Sequence, residues 1–309
     1  MMKKGYILGL SSGFLWAISG IVYQILYNNF PNLDTLLFSI FILFFIEFIS
    51  LVTISSYLYK NKKFPSINKN NYFAIFSGLL GAPIAMFCYL KAIQIIGVNY
   101  AAAISSTYPI LAALLSIKIN KENKENKENK ENVILFTSLI LITILLNIEL
   151  ESDISIIGIF LAIFVSISWA SEITLSSYAM HNKKNKAEDI YFIRQLFSVL
   201  GYIIVILYTI LTTDNMKNIE TIENIDYNNT YLVILVISLT ISSGLSYFLY
   251  YKAIEILKPI RAMALNITYT AWSIILSHIL IIDRIDIKSI LTCFIIFTFV
   301  TILSKERIK

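Results

Sequence analysis

Stretches of about twenty apolar residues recur from one end of this chain to the other, and each is long enough to cross the ~30 Å hydrocarbon core of a bilayer. Composition agrees: 57% of the 309 residues are hydrophobic and 15% charged, against about half and about a quarter in soluble domains. The fold class is therefore an all-α, polytopic integral membrane protein. Ten spans follow from apolar length and polar breaks: about 6–27, 33–59, 71–93, 98–119, 132–148, 155–180, 188–212, 230–255, 258–281 and 286–304. The opening MMKKGYILGL has a basic start like a signal peptide. Its apolar segment is too long for that role and shows no small-residue cleavage site, so a retained first helix is expected. Cys88 and Cys293 lie in apolar runs and offer neither a disulfide framework nor metal spacing. The net charge of +5 comes from basic residues scattered among loops, which is no nucleic-acid signal.

Loop charge predicts sidedness. With the N-terminus inside, 19 lysines and arginines fall in inner segments, while the outer loops hold only Lys217, Arg284 and Lys288. The positive-inside rule then puts both termini in the cytoplasm of a bacterial cytoplasmic membrane. The low-complexity KENKENKENKEN (Lys121–Asn132) balances four lysines with four glutamates and reads as a solvated cytoplasmic spacer.

The two halves resemble each other. Tyr89–Ser116 aligns without gaps on Tyr250–Ser277 with 11 of 28 positions identical, including Lys91/Lys252, Thr107/Thr268 and Tyr108/Tyr269. FLWA (Phe14–Ala17) matches ISWA (Ile167–Ala170), pairing Trp16 with Trp169. The chain divides into a first five-helix repeat, 1–149 (with 121–132 a loop), and a second, 150–309. Five is odd, so the second repeat is expected upside down. Inverted repeats let one half rock against the other around a midplane site.

The chemistry is expected in that midplane. Glu172 lies just past the middle of the sixth span. A charge so deep costs about 2.5–3.5 kcal/mol on insertion scales, and such groups usually face a cavity and act there. Trp169, Glu172 and Ser176 share a helical face, as do Trp16, Ser19 and Tyr23 on the first span. Inverted symmetry would bring Trp16 and Trp169 toward each other, with Ser19 opposite Glu172, so the site has one carboxylate. The eighth span adds Tyr247, Tyr250 and Tyr251; Tyr89 is the repeat partner of Tyr250; the ninth adds Asn266, Tyr269, Trp272 and Ser273. Aromatic rings around a lone carboxylate suit a methylated ammonium, which donates no strong hydrogen bond and is held by ring faces at about 0.5–2 kcal/mol each. For any single tyrosine, packing or an interfacial belt is the commoner role.

Other polar residues read more plainly. Lys91 and Lys252 are expected to snorkel toward water. Arg194, two turns inside the seventh span, is expected in an ion pair with Glu188 or Asp189. Glu47 is a second deep acid and a proton-coupling candidate beside Glu172 itself. Gly78, Gly81, Pro83 and Pro109 mark bending points. His181 and His278 supply no nucleophile–base pair and no metal set, so neither enzyme activity nor a cofactor is expected.

Ten spans in two inverted halves resemble the drug/metabolite transporter superfamily with paired EamA-type repeats, over essentially the whole chain. GLSSGFLWA (Gly9–Ala17), SWASEITLSSYAM (Ser168–Met180), IRQLFSVLGY (Ile193–Tyr202) and SYFLYYKAIEILKPIRAMALNITYTAW (Ser246–Trp272) further resemble the LicB-type bacterial choline transporters. That resemblance implies proton-coupled import of choline and related quaternary amines, with a Trp/Trp/Glu pocket at Trp16, Trp169 and Glu172. The partners implied are choline, H+ and the lipid bilayer. Potential alone could drive such uptake, at about 2.3 kcal/mol per 100 mV. The alternative is an EamA-type exporter of amino acids or other small metabolites, which would require Arg194 to face the pocket.

Overall fold

The computed structural model describes residues 2–31, 36–65, 71–105, 107–119, 155–212 and 229–280, together with 287, 290–291 and 293–298. Its principal elements are helical: α1 (Met2–Asn29), α2 (Leu36–Lys60), α3 (Tyr72–Leu79), a π-helical turn (Leu80–Ile84), α4 (Ala85–Ser105), α5 (Tyr108–Ile119), α6 (Ile156–His181), α7 (Ala187–Thr212), α8 (Thr230–Leu257), α9 (Pro259–Asn266) and α10 (Tyr269–Leu280). Among the described residues, seven segments are long and apolar enough to cross a membrane: Met2–Asn29, Leu36–Lys60, Tyr72–Ile96, Ile156–His181, Ala187–Leu211, Thr230–Leu257 and Pro259–Leu280.

These match seven of the expected spans. The expected fifth span, 132–148, and the 121–132 segment lie outside the described residues, and only fragments of the tenth are described. The fourth, 98–119, is not a separate helix: α4 continues through Gly97 to Ser105, and Tyr108–Ile119 forms α5. The second half shows why. There Lys258, the counterpart of Gly97, takes a left-handed φ of 68° ahead of Pro259, ending α8 and starting α9. No proline follows Gly97, so nothing forbids the helical conformation.

The helices are amphipathic in the inverse sense of a soluble bundle. Along α7, Leu200, Ile203, Ile204, Leu207, Tyr208 and Leu211 form one exposed stripe, while Arg194, Gln195 and Ser198 are buried. A lipid solvent takes the apolar face outward, and the polar groups must find partners inside.

Packing runs between the halves. The first helix of each half lies against the third spanning segment of the other: α1 on α8, and α6 on α3–α4; α2 packs on α7. The contacts correspond position by position. A Cβ on Gly5 would strike Ile256 and Leu257, and one on Gly158 would strike Ile95 and Ile96, their aligned counterparts. Both halves also break a helix at the same place. Thr107 Oγ1 donates to Ile104 O at 2.7 Å, and Thr268 Oγ1 donates to Leu265 O at 2.7 Å. The identical Thr-Tyr pair thus closes one helix and opens the next in each half.

The π-helical turn has a local cause. Pro83 has no N–H to give, and its ring crowds the carbonyl four residues back. The ladder slips, and Ala85 N–H bonds to Leu80 O, five residues back. Glycine allows this turn and α3 to approach α6 and α7: a Cβ on Gly78 would overlap the Arg194 backbone carbonyl. Overpacking of this kind costs about 1–3 kcal/mol. Gly78→Ala should therefore lower the thermal midpoint of the detergent-purified protein. Gly20→Ala, whose Cβ meets nothing nearer than Ser273 Oγ at 4.0 Å, should not; equal midpoints for both would contradict the packing described.

Candidate cation site

From Ser168 to Met180 no residue of α6 is exposed, so this half of the helix runs through the middle of the bundle. Glu172 sits there at 2% exposure. Its Oε1 accepts from Arg194 Nε at 3.0 Å and from the Tyr251 hydroxyl at 3.2 Å. Arg194 is 1% exposed, and its Nη1 donates to Glu47 Oε2 and to Gln195 Oε1. Its guanidinium lies over the Tyr247 ring, with Cζ 4.6 Å from the centroid. With both carboxylates ionised, this cluster of one arginine and two glutamates carries one net negative charge.

The surroundings hold the cluster in place. Gly81 has no side chain because the Glu172 carboxylate occupies the space its Cβ would need. The Tyr251 hydroxyl is also bonded to Ser176 Oγ at 3.0 Å, and Ser176 to Ser77 at 2.6 Å. These hydroxyls tie α3, α6 and α8 together beside the carboxylate.

Aromatic rings flank the cluster from two sides. Trp169 donates from Nε1 to Gly81 O at 3.1 Å, and its ring meets Tyr89 at 5.5 Å and Tyr108 at 5.8 Å. Trp16 meets Tyr247 edge-on at 5.3 Å, and Tyr247 lies 6.4 Å from Tyr251. Trp16 thus reaches the cluster through Tyr247.

Several expectations are corrected. Glu172 is not a lone carboxylate; Arg194 and Glu47 share its site. Arg194 does not pair with Glu188 or Asp189. Those residues are six and five positions back, spacings that put them on other faces of α7. Glu188 instead pairs with Lys252 at 2.6 Å. Lys252 does not snorkel freely: it also meets Glu255 at 3.2 Å, and Glu255 Oε1 accepts from Ala187 N at the start of α7. Asn266 donates to Ser12 Oγ at 2.8 Å, clamping α9 to α1. Trp272 packs between Phe14 and Phe297 at 5.2 and 5.4 Å, and Phe14 is an exposed side chain. Ser19 joins Ser242 and Ser243 of α8. Tyr250 lies in the main apolar cluster with Tyr108 and Tyr251, and Tyr269 starts α10 as the counterpart of Tyr108. Tyr108 itself was missed by sequence reasoning; its alignment with Tyr269 was the available signal.

Apolar helices of spanning length around a buried charged centre define a multi-pass membrane protein with its polar groups turned inward. The model of the EamA-like transporter family matches residues 3–147 and 156–305. Protein LicB of Haemophilus influenzae is 34% identical over 283 residues, covering 90% of this chain and 89% of that protein. A crystal structure only 12% identical in sequence shares the fold with a TM-score of 0.69, covering 99% of both chains. The chain belongs to the EamA-like transporter family and is a membrane transporter.

Breaking a buried ion pair by removing one partner costs about 3–5 kcal/mol, because a charge is left uncompensated. Arg194→Met should lower the thermal midpoint in detergent sharply, and adding Glu47→Gln should restore part of the loss. An Arg194→Met protein as stable as the parent would contradict the pairing.

Proposed function

We propose that this transporter imports choline and related quaternary amines across the cytoplasmic membrane by alternating access. The observation that carries the reading is the cluster itself: two carboxylates, Glu47 and Glu172, share the guanidinium of Arg194, whose Cζ lies 4.6 Å from the Tyr247 ring, with Trp16 packed against Tyr247. A quaternary nitrogen has no proton to donate, so ring faces and an unneutralised carboxylate are its natural partners. The resemblance of the four stretches around these residues to LicB-type choline transporters points the same way. Two inverted repeats, with both termini cytoplasmic, are the architecture this mechanism uses, and the matching cross-half contacts of Gly5 and Gly158 support it.

The second carboxylate gives proton coupling a physical basis. One glutamate that bound either a proton or choline would exchange them; symport needs a further protonatable group. Glu47 shares Arg194 with Glu172, so protonation of either carboxylate redistributes the arginine between them.

An amino-acid exporter is the second reading, and one observation favours it: Arg194 does lie at the site. Its guanidinium, however, is held by two carboxylates, and with both ionised the site repels an incoming carboxylate.

Radiolabelled choline uptake into proteoliposomes, with membrane potential and pH gradient imposed separately, tests the proposal. Uptake should follow an inside-negative potential. Glu172→Gln should weaken choline binding at least tenfold, and Glu47→Gln should lose the response to the pH gradient. Normal choline affinity in Glu172→Gln, or competition by amino acids but not by choline, would overturn it.

A further inference from the structure

We infer that Arg194 is an internal competitor for the substrate: its guanidinium holds the seat of a quaternary ammonium, and substrate enters by displacing it from Glu172 onto Glu47. The inference rests on reading the site as one for quaternary amines. It assigns this arginine the part of setting affinity and selecting for cations.

The contacts Arg194 makes are those the substrate needs. Its Nε is 3.0 Å from the Glu172 carboxylate and its Cζ is 4.6 Å from the Tyr247 centroid. A methylated ammonium held by charge and ring faces would occupy the same space, within about 6 Å of a ring centroid. Both cations cannot sit there together.

The arginine is also held so that it can leave. Different atoms bind the two carboxylates: Nε goes to Glu172, whereas Nη1 goes to Glu47 and Gln195. The first bond can open while the second set persists. Nη2 is buried and has no hydrogen-bond partner among the described residues, so the guanidinium is not fully satisfied where it lies. Two carboxylates can accept two monovalent cations, and among the described residues Arg194 is the one cation paired with them. Once substrate arrives, Glu172 keeps a counter-ion and Glu47 retains the arginine, so no buried carboxylate is left bare.

Self-occupancy lowers apparent affinity by the fraction of time the seat is free. The double variant Arg194→Gln/Glu47→Gln removes the competitor and one carboxylate together, so the net charge stays at one negative. Choline and tetramethylammonium are titrated calorimetrically into parent and variant protein in lipid nanodiscs. The inference predicts about tenfold tighter binding of both cations to the variant. Unchanged or weaker binding to a monodisperse variant overturns it and leaves Arg194 a support for Glu172. If the double variant does not fold, Arg194→Lys takes its place, because a single ammonium cannot span both carboxylates as the guanidinium does. Tighter binding again supports the inference, and equal or weaker binding overturns it. Failure of the two proposals can be told apart. A variant that binds tetramethylammonium tightly while neither protein binds choline upholds the competitor and removes choline as substrate. Binding of neither cation by either protein defeats both.

Discussion

A guanidinium shared by two carboxylates in the middle of an apolar bundle organises this molecule. Glu47 comes from α2, Glu172 from α6 and Arg194 from α7, so the Glu47–Arg194 pair links the two halves of the chain. Taking such charges out of water is expensive, and the expense is offset only when geometry is good and remaining polar atoms find partners. The surrounding sequence serves that end. Gly78 and Gly81 remove the side chains that would keep α3 and the π-helical turn away. Pro83 breaks the hydrogen-bond ladder there, and the Gly81 carbonyl accepts from Trp169. Tyr251 gives its hydroxyl to Glu172.

Around this centre the described packing contacts recur between the halves while the charge does not. Gly5 and Gly158 meet aligned residues of the opposite half, and Thr107 and Thr268 close helices by the same hydrogen bond. Yet the counterpart of Glu172 is Ser19, which is bonded to serines of α8. Symmetric contacts suit a body that rocks between two related shapes.

The sequence showed the fold through apolar length, and it showed Glu172 and Glu47 because a charge interrupts an apolar run. It also showed that Arg194 is deep. What it hid was the partner. Residues near in sequence offer candidates for a buried charge, but helix geometry turns Glu188 and Asp189 away, and the acids that receive Arg194 come from two other helices. The neighbours of Asn266 and Trp272 were hidden for a related reason. The break after Asn266 leaves its side chain facing Ser12, and α10 carries Trp272 toward Phe14. Spacing along one helix predicts which residues share its face, not what that face meets.

The most direct test of the account is a high-resolution cryo-electron microscopy map of the protein in lipid nanodiscs with saturating choline. The account predicts the quaternary nitrogen over the Tyr247 ring and beside the Glu172 carboxylate, with Arg194 held by Glu47 alone. Choline found elsewhere, with the Arg194–Glu172 pair intact, would contradict it.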